Sequence, residues 1–159
     1  MTRLLRNPVH FLSLGGGLGL IPLAPGTFGT LPGFLLAALL RGWLSVPVAW
    51  AVLLLLTLVA VGCADYTARA LRQKDPGSIV IDEYIAFTGL LLALPDRPVV
   101  WVWAFLCFRL FDASKPFPVS WADRHVGGGV GIVLDDVLAA LLAYGLMLGL
   151  IWLQLPGGP

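Results

Sequence analysis

Charge is scarce in this chain. Asp, Glu, Lys and Arg make up 12% of the residues, the formal net charge is +1, and no basic run is long enough to track a phosphate backbone. Nucleic acid is therefore excluded as an expected partner. The two cysteines, Cys63 and Cys107, both lie inside apolar runs, where a thiol acts as a small hydrophobe. Neither a disulfide framework nor a metal knuckle is expected. The two histidines, His10 and His125, are too few for a His-based metal site. No cysteine stands in a Cys-x5-Arg loop, and Asp-x-Asp and Asp-x2-Asp-Gly patterns are lacking. These absences remove the usual covalent phosphatase chemistries and the lipid head-group transferases. His125, in a polar loop beside Arg124, would at most assist a leaving group, and a lone loop histidine is more often simply solvated.

Hydrophobic residues fill the space that charge leaves. They amount to 58% of the chain, with a mean hydropathy of +0.91, which places it in a bilayer. Arg3 and Arg6 precede Phe11-Leu12-Ser13-Leu14, but Gly15, Gly16, Gly17 and Gly19 interrupt that run and no Ala-x-Ala site follows, so no cleaved signal is expected. Apolar stretches run from Leu31 to Leu40, Val46 to Cys63, Ile79 to Leu94, Val99 to Phe111 and Val137 to Leu155. A span takes about 20 apolar residues, which the second and fifth satisfy. The first is long enough only if its helix starts near Thr27 or Thr30, and the third and fourth only if Asp82-Glu83 and Arg109–Asp112 lie within their helices. A soluble protein with the same helices is the lesser alternative.

The expectation is one all-α domain over 1–159, a polytopic integral membrane bundle of about four to five apolar helices. Arg3, Arg6, Arg69, Arg72, Lys74, Arg109, Lys115 and Arg124 fall in alternate polar segments, against Arg41 and Arg97 in the others. The positive-inside rule makes the N-terminus and the two long polar loops cytoplasmic. Trp43, Trp101, Trp103 and Trp152 then stand near segment ends as interfacial anchors.

That topology gathers five carboxylates, Asp82, Glu83, Asp112, Asp135 and Asp136, at the cytoplasmic edges of apolar runs. A carboxylate at such depth is retained when it is paired, bound to a metal or facing a polar cavity. Pro76-Gly77-Ser78 reads as a turn and N-cap that puts Asp82 and Glu83 in a helix's opening turns. Gly127-Gly128-Gly129 reads as the approach to a helix whose start carries Asp135 and Asp136. Asp82 shares a helical face with Ala86, Gly89 and Ala93, and Asp136 with Ala139, Ala140 and Ala143. Small residues line close helix contacts, so Asp82 and Asp136 face the bundle, with Glu83 and Asp135 about 100° away at the rim. Pairing of Arg109 with Asp112, Asp112 with Lys115 and Asp123 with Arg124 is the structural alternative. Asp65, Asp75, Asp96 and Asp123 read as solvated or turn residues.

Oxygen-only ligands suit a hard ion such as Mg²⁺. The Gly-rich stretch from Leu14 through Ala24-Pro25-Gly26-Thr27-Phe28-Gly29-Thr30 either cradles a phosphate or forms a membrane re-entry. Arg109, Lys115 and Arg124 either neutralise an anionic substrate or anchor the loops. What is left open to these residues is metal-assisted hydrolysis with carboxylate ligands. The rival is an ion- or proton-coupled transporter, against which stand the grouping of the acids at one face and the lack of an internal repeat.

Four motifs in order, Ala24-Pro-Gly-Thr-Phe-Gly-Thr30, Asp75-Pro-Gly-Ser-Ile-Val-Ile-Asp82-Glu83, Phe108-Arg-Leu-Phe-Asp112-Ala-Ser-Lys115-Pro116 and Gly128-Gly-Val-Gly-Ile-Val-Leu-Asp135-Asp136, resemble the phosphatidylglycerophosphatase A family over nearly the whole chain. The resemblance implies a Mg²⁺-dependent enzyme of the bacterial inner membrane, multi-pass, that converts phosphatidylglycerophosphate to phosphatidylglycerol and inorganic phosphate. With it, Asp82, Glu83, Asp112, Asp135 and Asp136 become expected metal residues, with Asp135 in direct or indirect contact. Thr27, Thr30, Arg109, Lys115 and Arg124 become the expected phosphate contacts, and Glu83 the candidate to accept a proton from water.

Overall fold

The computed structural model describes residues 4–154, so Arg3, Leu155 and Pro159 lie outside it. Among the described residues there are eight α-helices and no strand: α1 Pro8–Ser13, α2 Pro25–Thr30, α3 Pro32–Trp43, α4 Val46–Leu71, α5 Ile81–Ala93, α6 Pro98–Ser114, α7 Val119–His125 and α8 Gly128–Trp152. Proline opens α1, α2, α3, α4 and α6, at the position where a missing N–H leaves no bond unmade.

Two helices, α4 and α8, are long and apolar enough to cross a membrane. They are the second and fifth apolar stretches. Most of the apolar span of α4 faces outward: Leu54, Leu55 and Leu58 are each more than 60% exposed. A water-soluble bundle would turn such residues inward. The other three stretches are shorter, at 12 residues for α3, 13 for α5 and 17 for α6. At 1.5 Å per residue, α3 and α5 reach about 20 Å of a hydrocarbon core of ~30 Å. Extension of the first stretch back to Thr27 is not realised as one helix, because Pro32 has no N–H to continue the ladder and α2 ends at Thr30.

Helix α8 is the axis of the bundle and packs against α4, α5, α6 and α7. Its Ala139, Ala143 and Met147 are fully buried. A Cβ on Gly129 would overlap the Val61 carbonyl oxygen, so glycine is what brings α8 against α4. The Gly127–Gly129 run was expected to precede this helix, but α8 starts at Gly128 and its glycines form the contact. Asp135 and Asp136 therefore lie two turns inside the helix rather than at its start.

The start of α5 is fixed from outside. Ser13 Oγ donates to the Cys63 carbonyl (2.8 Å) and accepts from Thr67 (2.8 Å), while the Ser13 carbonyl accepts the Val80 N–H (2.9 Å). Val80, not Ser78, is the residue preceding the helix, and no side chain caps it. Its opposite end is closed by Arg41, whose Nη2 donates to the carbonyls of Leu91, Leu92 and Leu94. Cys63 and Arg69 do have Cys-x5-Arg spacing, but both lie within α4, where Cys63 is buried and Arg69 pairs with Asp65 at 2.9 Å. No phosphate-binding loop is formed there.

Candidate active site

At one end of the bundle, five segments converge. Lys74 Nζ donates to the carbonyls of Asp123 (2.6 Å) and Arg124 (3.2 Å), joining the α4–α5 loop to α7. The two long polar loops thus lie together. Beneath them are the acids of α5, α6 and α8.

Asp82 and Asp136 are 6% and 3% exposed, facing the interior as their small-residue faces predict. Asp136 lies in the field of Asp82, Asp112, Asp135 and Glu83. Three buried oxygens here, Asp82 Oδ1, Glu83 Oε2 and Asp136 Oδ2, have no hydrogen-bond partner. Buried polar atoms are almost always satisfied, and a buried carboxylate oxygen left without a partner is costly. The three are oxygen donors of the kind a hard cation takes, but among the described residues the acids whose oxygens lie within 4.8 Å of one another are Asp75, Asp123 and Asp135.

The other acids are bracketed by two cations. Arg109, on the last turns of α6, pairs with Asp112 three residues on and with Glu83 Oε1 at 3.3 Å. The expected pairing of Arg109 with Asp112 forms; among the described residues, pairs between Asp112 and Lys115 or Asp123 and Arg124 do not. Lys115 caps α6 in a left-handed conformation (φ 43°) and its Nζ reaches Asp123 (2.7 Å), Asp135 (2.8 Å) and Asp75 (3.6 Å). Burial opposes the Lys115 charge, but its bonds to Asp123 and Asp135 raise the ammonium above its ordinary pKa. The hydrogen bond from Lys115 holds the Asp123 carboxyl below its ordinary value, against partial burial.

Asp75 and Asp123, read as solvated or turn residues, both pair with Lys115 and so join this constellation. Oxygens of Asp75, Asp123 and Asp135 lie within 4.8 Å of one another, a spacing consistent with a metal, and Lys115 Nζ bonds into the same group. Both Asp135 oxygens are engaged, Oδ2 by Lys115 and Oδ1 by the Asp136 N–H (3.1 Å). Only the spacing of acids around Lys115 in sequence could have signalled Asp123, and Asp75 is in view only as the first residue of the motif that runs to Asp82-Glu83.

The glycine motif serves this layer by close approach. A Cβ on Gly26 would overlap Glu83 Oε1 and crowd Arg109, and one on Gly29 would crowd Glu83 Oε2 and Val80. Helix α2 thus lies directly on the Glu83–Arg109 pair. Thr30 is buried and its hydroxyl donates to the Gly26 carbonyl (2.8 Å), which removes it from the expected phosphate contacts. Thr27 is half-buried. Arg124 is exposed, and so is His125, whose ring stacks on Trp121.

The chain has known relatives. The family model described as Phosphatidylglycerophosphatase A matches residues 11–151. A Phosphatidylglycerophosphatase A from Escherichia coli K12 is 38% identical over 89% of this chain and 82% of its own length. The Haemophilus influenzae protein of the same name is 40% identical over 87% of this chain and 86% of its own length. A Bacteroides thetaiotaomicron protein, 33% identical over 84% of this chain and 87% of its own length, carries a provisional name as a phosphatidylinositol-3-phosphatase. No solved structure matches. The acidic layer at one end of the bundle and a match spanning nearly every element of the fold lead to one conclusion: the chain belongs to the phosphatidylglycerophosphatase A family, a family of phosphatases.

Proposed function

We propose that this chain is a Mg²⁺-dependent lipid phosphatase of the bacterial inner membrane. It removes the terminal phosphate of phosphatidylglycerophosphate to give phosphatidylglycerol and inorganic phosphate. Helices α4 and α8 span the bilayer, the shorter α3, α5 and α6 complete a polytopic bundle, and the acids lie at its cytoplasmic face. The observation that carries the reading is the trio of buried, unpartnered oxygens of Asp82, Glu83 and Asp136.

Asp82, Glu83 and Asp136 would hold the ion, with Asp112 beside them. When bound, Mg²⁺ would offset charge on the phosphoryl oxygens and lower the pKa of a coordinated water. Asp135 acts through others: tied to Lys115 and to the Asp136 N–H, it sets the position of Asp136. Arg109 orients Glu83 and Asp112, and the half-buried Lys115 brings positive charge to the phosphate, aided by Thr27 at the start of α2. Alternatively Glu83, with one oxygen held by Arg109 and the other unpartnered, would accept the proton of the attacking water instead of binding the ion. Phosphoryl transfer requires mainly positioning and charge stabilisation, which this arrangement supplies.

A transporter is disfavoured because the acids gather at one end of the bundle, and transporter sites lie near the midplane between repeats. The deciding experiment measures phosphate release from defined lipid phosphates by the purified protein, with and without Mg²⁺. Release that persists in excess chelator ends the metal-dependent reading.

A further inference from the structure

The face of α5 that carries Asp82 continues downward as Ala86, Gly89 and Ala93, and the face of α8 that carries Asp136 continues through Ala140. Opposite them stand Leu53 and Thr57 of α4. Together they line a cleft of about 440 Å³, open on one side to the surroundings of the bundle. The Thr57 hydroxyl is committed to the Leu53 carbonyl (2.8 Å), so this wall offers no free hydroxyl. The void exists because small side chains stand where larger ones would have filled it. We propose that this cleft seats one acyl chain of the lipid substrate, holding it in register while its head group reaches the acids above.

The inference rests on the lipid-phosphatase reading and adds to it the path of the chain. Three features commit the cleft to this occupant. The cleft starts one turn below Asp82 and Asp136, in line with the site. From Ile85 to Ala93, the α5 residues at its two ends, is eight residues, about 12 Å of helix, within the ~15 Å depth of one leaflet. Its lining is apolar, with Leu53, Leu54, Ile85, Leu90 and Leu141 around it and the Thr57 hydroxyl already committed, as a hydrocarbon chain requires. A polymethylene chain in line with the site suits such a lining.

Bilayer lipid is as apolar as the cleft, so moving the chain between them yields little binding free energy. The cleft therefore acts through orientation, and its loss appears in kcat rather than in KM. Gly89→Leu fills the middle of the cleft, beside Leu53, and Ala93→Trp obstructs its deep end from an exposed position that does not disturb the core. The test compares dioctanoyl and dipalmitoyl phosphatidylglycerophosphate in mixed micelles at equal mole fraction. Ala93→Trp should lower kcat on the dipalmitoyl lipid about tenfold, the scale of a misplaced reacting group, with KM unchanged and the dioctanoyl rate kept. Gly89→Leu should slow both lipids, the longer one more. An equal loss on both lipids for Ala93→Trp, as when a bulk lipid or second copy occupies the cleft, overturns the inference while leaving the phosphatase intact. Failure of the unsubstituted protein to hydrolyse either lipid overturns the phosphatase reading and the inference with it.

Discussion

Lys115 Nζ lies 2.8 Å from Asp135 Oδ2, and through this bond the end of α6 is tied to the middle of α8. The same ammonium holds Asp123 and Asp75, so one side chain joins three chain segments. Its removal leaves three neighbouring carboxylates without their cation. Lys115→Ala should lower kcat/KM by about 100-fold, comparable to deleting one preorganised charge-stabilising donor. It should also add a divalent-ion site, read as a higher Mn²⁺ stoichiometry by electron paramagnetic resonance. Unchanged stoichiometry would count against Lys115 as the cation of the Asp75–Asp123–Asp135 group.

The clasp has a defined pH window. Asp123 has a depressed folded pKa, so its contribution to stability is present above the unfolded carboxylate value and disappears as pH falls through the folded one. Lys115 has a raised pKa, so its contribution is complete below the ordinary lysine value and disappears as pH rises through the folded one. The difference in Tm between wild type and Asp123→Asn should therefore stay constant from about pH 5 to 9 and shrink below about pH 4, taking ordinary values near 3.9 and 10.4. A difference that changes around neutrality would show that another group controls the clasp.

The metal reading separates activity from folding. Asp82→Asn, Asp112→Asn and Asp136→Asn should each abolish turnover, while Asp96→Asn, on an exposed loop, should be silent. Replacing Asp82 or Asp136 by a neutral amide relieves repulsion in the acidic layer, so Tm in chelator should hold or rise. Mg²⁺ should raise Tm only where the acids are intact, since a ligand stabilises the state that binds it. Ca²⁺ should not restore activity after chelation, its longer and looser coordination being unsuited to this site.

Glycines divide by what stands opposite them. Gly26→Ala places a methyl on Glu83 and Arg109, and Gly129→Ala places one on the Val61 carbonyl. The first should reduce turnover with a small change in Tm, and the second should lower Tm by several degrees. Gly62→Ala, within α4 with open space around it, should be neutral or stabilising by about 0.5–1 kcal/mol. Thermal melts beside phosphate release distinguish the three.

Topology is tested by reporters. Fusions at Lys74 and Arg124, whose loops are hydrogen-bonded together, should be cytoplasmic, and those after Pro98 or at Pro159 extracytoplasmic. An extracytoplasmic Arg124 loop would put the acids on the wrong side for a cytoplasmic substrate.

Much of this arrangement was legible in the sequence. The runs that became α4 and α8 announce themselves by length, and the small residues spaced after Asp82 and Asp136 predict which way those acids turn. What escaped was decided by distant contacts. Asp75 and Asp123 read as loop acids because the cation that gathers them, Lys115, comes from the end of another helix. Gly128 and Gly129 read as the approach to a helix rather than its first turn because only the backbone of α4 opposite them shows why a helix would begin there. Thr30 looked available to a phosphate until its hydroxyl was found on the Gly26 carbonyl, a bond internal to α2.

The position of Asp135 and Asp136, two turns inside α8, has a kinetic meaning. Seven residues of helix separate Gly128 from Asp135, so the acids lie about 10 Å below the helix's N-terminal end. On the proposed reading, a substrate reaches that depth by lateral diffusion, and only phosphate and water cross to the cytosol. The concentration that governs turnover is then two-dimensional. Diluting the lipid phosphate with inert lipid should slow the enzyme, whereas diluting the whole vesicle suspension in buffer should leave the rate per enzyme unchanged.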